Sequence, residues 1–138
     1  MRIFITILCI FISLCCKSQI HIDKVENALL ITNMNSIESK LYSKSDFGFK
    51  IFKKANASGS ANISGTDEIS FSYLIAISEF DEHPEQSLFE VEGFINPKIL
   101  DVKPKSEDFT VSIEHGMLTN RKTVVISVSL HKVELSMY

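Results

Sequence analysis

The sequence predicts an all-β fold: an antiparallel β-sandwich or open barrel of about six to seven strands, preceded by a short N-terminal helix or irregular lead-in. Three observations carry this expectation. Apolar and polar residues alternate with a period of two over several stretches, turn-forming residues recur at intervals of roughly ten, and no segment holds a long helical period.

The first 18 residues stand outside that pattern. Arg2 precedes an apolar run of 14 residues, Ile3 to Cys16, which ends at Lys17-Ser18-Gln19. A membrane-spanning helix needs roughly 20 such residues, so the run has the length of a secretory leader. Cys16 and Ser18 stand as small residues at the −3 and −1 positions for cleavage before Gln19. Residues 1–18 are therefore expected to be a signal peptide, the alternative being a lipoprotein-type leader ending near Cys15 or Cys16, with Cys16 lipidated. Either way the expected location is exported: periplasmic, secreted, or tied to a membrane through a lipid anchor alone.

Residues 19–138 then form a single β-rich domain. Cys9, Cys15 and Cys16 are the three cysteines of the chain, and all lie in the leader. Disulfides, thiol nucleophiles and cysteine-built zinc sites are excluded from that domain, whose own core must stabilise it. A chain of that size buries about two-thirds of its unfolded surface.

Ile20 to Tyr42 is ambiguous. Val25, Leu29 and Thr32 share a helical face with Ile22, and Ser36 suits the cap of a short turn through Leu41, while Ala28-Leu29-Leu30-Ile31 also suits a buried strand. Phe47, Phe49 and Ile51 alternate with Gly48, Lys50 and Phe52 as a strand. Ala55 to Thr66, small and polar with Asn-x-Ser sequons at Asn56 and Asn62, has the composition of a flexible loop. Ile69 to Phe80 is the clearest strand: Phe71, Tyr73, Ile75 and Ile77 face one way, which predicts a sheet with one buried face.

After the acidic turn from Glu79 to Gln86, Leu88 to Phe94 resumes alternation. Phe89 and Val91 point inward, Glu90 and Glu92 outward, and Gly93 marks a bulge or close approach. Ile99 to Val102 makes a short strand, Pro104 to Glu107 a turn, and Phe109, Val111 and Ile113 the next strand, leading to a hairpin tip at Thr119 to Lys122. Val124, Ile126, Val128 and Leu130 hold even positions, but Val133, Leu135 and Met137 hold odd ones. Such a phase change predicts a bulge or a change of sheet near His131. The last strand is expected to close a sheet centrally rather than lie at an edge.

The whole chain carries −3, and without the leader it holds 12 basic against 17 acidic residues, or −5. Between Lys54 and Lys98 there is no Lys or Arg, while Asp67, Glu68, Glu79, Asp81, Glu82, Glu85, Glu90 and Glu92 contribute eight acids. A field of that sign repels phosphate backbones, which excludes nucleic acid as the expected partner.

Asp81-Glu82-His83-Pro84-Glu85 is the densest cluster of cation ligands by type, suited to Ca²⁺ or another divalent ion, and equally a solvated turn. Glu90 and Glu92 share a strand face, their carboxylates roughly 7 Å apart, near the spacing of glycosidase pairs. Glu114-His115, His21 and His131 supply candidate bases, each histidine being expected at the surface or in a turn. There is no Gly-x-Ser-x-Gly, His-Glu-x-x-His, P-loop or dinucleotide fingerprint.

The expected function is therefore an exported, non-catalytic binding or accessory domain of the bacterial cell envelope. It would take a protein or glycan ligand through Asp81, Glu82, His83, Glu85, Glu90 and Glu92, with a divalent cation as the one cofactor considered. One alternative is a small secreted hydrolase or metal-dependent enzyme using Glu90, Glu92, His83 or His115. The other is an inhibitor, immunity or chaperone-like protein.

Overall fold

The computed structural model describes residues 20–44, 46–56 and 68–136. Residues 1–18, the expected leader with Cys16, most of the expected loop from Ala55 to Thr66, and the sequon at Asn62 lie outside them. Two antiparallel sheets make a β-sandwich. The strands are β1 (His21–Lys24), β2 (Leu41–Ser43), β3 (Phe47–Ala55), β4 (Ser70–Glu79), β5 (Gln86–Ile95), β6 (Lys98–Lys105), β7 (Asp108–Met117), β8 (Asn120–Val128) and β9 (Val133–Leu135), with one helix, α1 (Ala28–Ser36), between β1 and β2. One sheet has the order β1-β5-β4-β3-β2, the other β6-β7-β8-β9.

Among the described residues nine strands stand where six or seven were expected. The extra ones are the three- and four-residue pieces β1, β2 and β9, too short to show a period. Each exists because a longer strand offers it a ladder: β1 pairs with β5, β2 with β3, β9 with β8.

The phase change near His131 is neither a bulge nor a change of sheet. The chain turns back at 129–132, closed by Ser129 N–H donating to the Lys132 carbonyl at 2.9 Å, and β9 runs antiparallel along β8. Reversal in a hairpin resets the parity of the inward positions, so Val128 and Val133 face the same core. The last described strand consequently lies at the edge of its sheet, not in its centre.

The main core lies between the sheets. Phe47 and Phe49 of β3 meet Phe109 of β7 edge to face, with centroids at 5.8 and 5.1 Å, and Tyr42 stacks on Phe49 at 5.3 Å. At the other end of β7, Phe94 of β5 contacts the His115 ring at 5.3 Å. Pairs of this kind add about 0.5–1.5 kcal/mol each to the burial of their area.

β4 buries both faces rather than the one expected from its alternation, because Leu74, Ala76 and Leu88 form a second cluster under α1 with Val25, Ile31, Met34 and Phe52. The helix thus turns Ile31 and Met34 inward, while Leu29 and Thr32 are exposed. Asn27 caps its start by accepting from Leu30 N–H at 3.0 Å, and Ser36, expected to cap a short turn through Leu41, is instead its last residue, donating its hydroxyl to the Asn33 carbonyl at 2.8 Å. No glycine ends α1. Lys50 of β3 instead donates to the carbonyls of Asn35 and Ile37 at 2.6 and 2.8 Å, placing a cation at the negative end of the helix, worth about 0.3–1 kcal/mol.

Two glycines set the strand ends. Gly93, at φ 92°, sits where the β4–β5 register shifts between Phe71 and Tyr73, the bulge its position suggested. Gly116, at φ 116°, precedes the turn between β7 and β8, and a Cβ there would lie 2.4 Å from the Asn120 carbonyl oxygen. Backbone, not a flexible side chain, would have to move. Gly116→Ala is expected to destabilise the fold by about 3 kcal/mol, read as a lowered urea midpoint with an unchanged slope.

Candidate functional site

The outer face of the five-stranded sheet is divided. α1 covers the half over Leu74, Ala76 and Leu88, and the half beyond it is polar and open. Antiparallel pairing of β1 with β5 sets His21 opposite Glu92 and Asp23 opposite Glu90. Inward Ile22 and Val91 anchor this register, so these four side chains share the outer face.

Like charges opposite one another repel, and the Lys54 cation offsets that here. His21 Nε2 lies 3.0 Å from Asp23 Oδ2. Lys54 reaches from β3 to form an ion pair with Glu90 Oε1, placed as a charge contact rather than an aligned hydrogen bond. Burial pushes the Glu90 carboxyl up, but the Lys54 charge outweighs it and holds the group below the usual carboxylate range. Ser72 itself is fully buried and donates to Asn56 Oδ1 at 2.9 Å. Glu92 and Asp23 remain exposed, so the patch keeps a negative balance.

Asp81, Glu82, His83 and Glu85 lie elsewhere, all exposed in the connection between β4 and β5. Glu79 Oε2 accepts from Glu85 N–H at 3.0 Å, and His131 Nδ1 stands 3.7 Å from Glu85 Oε1. Five residues of extended chain, roughly 17 Å, separate Glu85 from Glu90. The six residues singled out in the sequence therefore form two separate acidic surfaces. Among the described residues no group of three or more His, Cys, Asp or Glu is arranged to hold a metal ion.

His115 corrects the expectation of a surface or turn histidine. It continues the inward series Phe109, Val111 and Ile113 of β7 and is only 7% exposed, with Nδ1 buried and without a hydrogen-bond partner among the described residues. Glu90 and Glu92 are on the outer face, His83 in a loop and His115 in the core, so these four do not share a concavity. Beside His115, Arg121 of β8 donates to Glu114 Oε2 at 3.0 Å, to the Gly116 carbonyl at 2.8 Å and to the Asn96 carbonyl at 2.9 Å.

Burial, and then the nearby Arg121 and Lys122 charges, push the His115 pKa below its ordinary value. Below about pH 6.5 the unfolded chain takes up a proton that the folded chain resists. Stability is thus complete above that pH and falls as the pH drops through it toward the folded-state value. Chemical denaturation between about pH 7.5 and 5.5 should show this decline, and His115→Phe should flatten it. Glu90 acts in a lower window: its contribution is present above the carboxylate range and is lost as acid protonates it.

Comparison of the chain with known protein families, with curated proteins and with solved structures finds no match in any of the three.

Proposed function

We propose that the chain is an exported, non-catalytic β-sandwich of the bacterial cell envelope that binds a ligand through the open half of its five-stranded sheet. The observation that carries this reading is the placement of Asp23, Glu90 and Glu92 on one solvent-facing surface that α1 leaves uncovered. A rigid sheet holds these carboxylates at fixed spacing, and the Lys54 charge favours the ionised form of Glu90. The complementary ligand is basic, a lysine- or arginine-rich protein surface before a neutral glycan. The acidic loop from Asp81 to Glu85 adds a second region of the same sign, which attracts such a partner at longer range.

A lysine-rich peptide serves as the probe. Its affinity should fall steeply as salt is raised, and Asp23→Lys with Glu92→Lys should weaken it by about tenfold or more, while Asp81→Lys with Glu85→Lys mainly slows association. Binding that ignores salt and both reversals overturns the acidic-face reading.

Export is tested separately, by the mass of the mature N-terminus. A chain beginning at Gln19 is expected for soluble export and an acylated Cys16 for a tethered form, whereas an intact Met1 in the natural host overturns both.

A further inference from the structure

The two sheets leave an opening along one margin. β2, the last strand of the five-stranded sheet, and β6, the first of the four-stranded one, border a groove of about 320 Å³ lined by Lys40, Tyr42, Ile99, Leu100, Asp101 and Val102. Tyr42, Ile99 and Val102 are half-buried outer members of the main core, and Leu41 and Leu100 beside them are 48% and 49% exposed.

The backbone at this margin is asymmetric. Lys44 N–H donates to the Phe47 carbonyl at 3.0 Å, so hydrogen-bonded pairs alternate from there and Tyr42 is the next residue bonded to Phe49. Leu41 and Ser43 therefore turn their N–H and C=O groups away from β3, toward the open side. β6 is defended: Pro104 lacks an N–H, Leu100 is thrown out of register, and Lys98, Lys103 and Lys105 line the strand. β2 carries no such interruption, only a lysine at each end.

Those lysines choose the occupant. Asp101 is paired with Lys103 at 2.6 Å, and the charges that directly flank β2 are Lys40, 4.8 Å over the Tyr42 ring, and Lys44, with Glu38 and Asp46 two residues farther out. A second copy adding its β2 antiparallel would bring Lys40 against Lys44, like charges face to face. We propose that β2 and the adjoining groove accept an extended acidic peptide from another protein as an added strand. Its backbone would pair with Leu41 and Ser43, an apolar side chain would rest on Tyr42, Ile99 and Val102, and flanking carboxylates would meet Lys40 and Lys44. This margin is opposite the one formed by β1, so the proposal goes beyond the acidic-face reading and does not rest on it.

Panning the purified protein against a display library of random short peptides that lack Lys and Arg, and so do not address the acidic face, tests it. The recovered peptides should alternate apolar and polar residues and carry Asp or Glu at their flanks. Their binding should drop by about tenfold or more in the Lys40→Glu, Lys44→Glu double variant, and in Ser43→Pro, which removes an outward N–H. Glu90→Gln with Glu92→Gln should leave it unchanged, which separates this result from that of the acidic face. Thermal midpoints identify any variant that fails to fold, and the lysine reversals keep the test decisive if Ser43→Pro does. Recovery of no peptide, of peptides without alternation, or of binding that the lysine reversals do not move overturns the proposal. Sedimentation showing a dimer that the same reversals dissolve overturns it in favour of a second copy.

Discussion

Between Ile95 and Lys98 the chain passes from the five-stranded sheet to the four-stranded one through two residues, Asn96 and Pro97, and the carbonyls of that crossing are satisfied by side chains from elsewhere. Arg121 donates to the Asn96 carbonyl at 2.9 Å and Lys53 to that of Pro97 at 3.1 Å. Asn96 itself stands at φ 43°, a left-handed conformation that asparagine tolerates better than most residues. The Arg121 side chain is only 23% exposed, and Glu114 supplies the countercharge that makes such burial affordable in energy terms. The Phe94–His115 contact lies immediately inside this corner, so the stacking of the two sheets and the geometry of their crossing share one support.

The gap in basic residues from Ala55 to Pro97 acquires a structural meaning in this arrangement. That segment supplies β4 and β5, and the neighbouring β3 carries the missing cations. Lys50 closes the C-terminus of α1, Lys53 lies 4.0 Å over the Phe71 ring while holding Pro97, and Lys54 pairs with Glu90. One strand with three lysines thus serves the helix, the crossing and the outer face in turn. Among the described residues, the acids without a Lys or Arg partner include Glu92 and Asp23 toward the β1 margin and those of the loop beyond β4, away from the lysine-bearing end of β3.

Alternation made β3, β4, β5, β7 and β8 legible from the sequence, since each is long enough to repeat its period. β1 and β2 were not legible, because three or four residues become a strand only when a partner offers a ladder; the strand character of β9 was legible in Val133 and Leu135, but not the hairpin that separates it from β8. The outer-face core was half visible: Leu74, Ala76 and Leu88 stand at outward positions, but the serines among them read as a solvated face, and the helix that covers them is set by tertiary contact. His115 could have been found by extending the inward series from Phe109 through Ile113 by one more step. The outward direction of Glu90 and Glu92 followed from the pleat, whereas the link from Glu90 to Lys54 depends on strand order. The groove beside β2 depends on how two sheet margins come together, which no local pattern encodes.

The register of β1 also constrains how the chain is assembled in time. His21 pairs with Glu92, and roughly seventy residues separate them. The partner strand is therefore made last among the five of its sheet, and loop closure over such a distance is slow. During synthesis, which runs at about 5–20 residues per second, the segment beginning at Ile20 has no ladder to join for several seconds. The long reach of a four-residue strand thus works as a delay, keeping the beginning of the chain open until β5 has arrived.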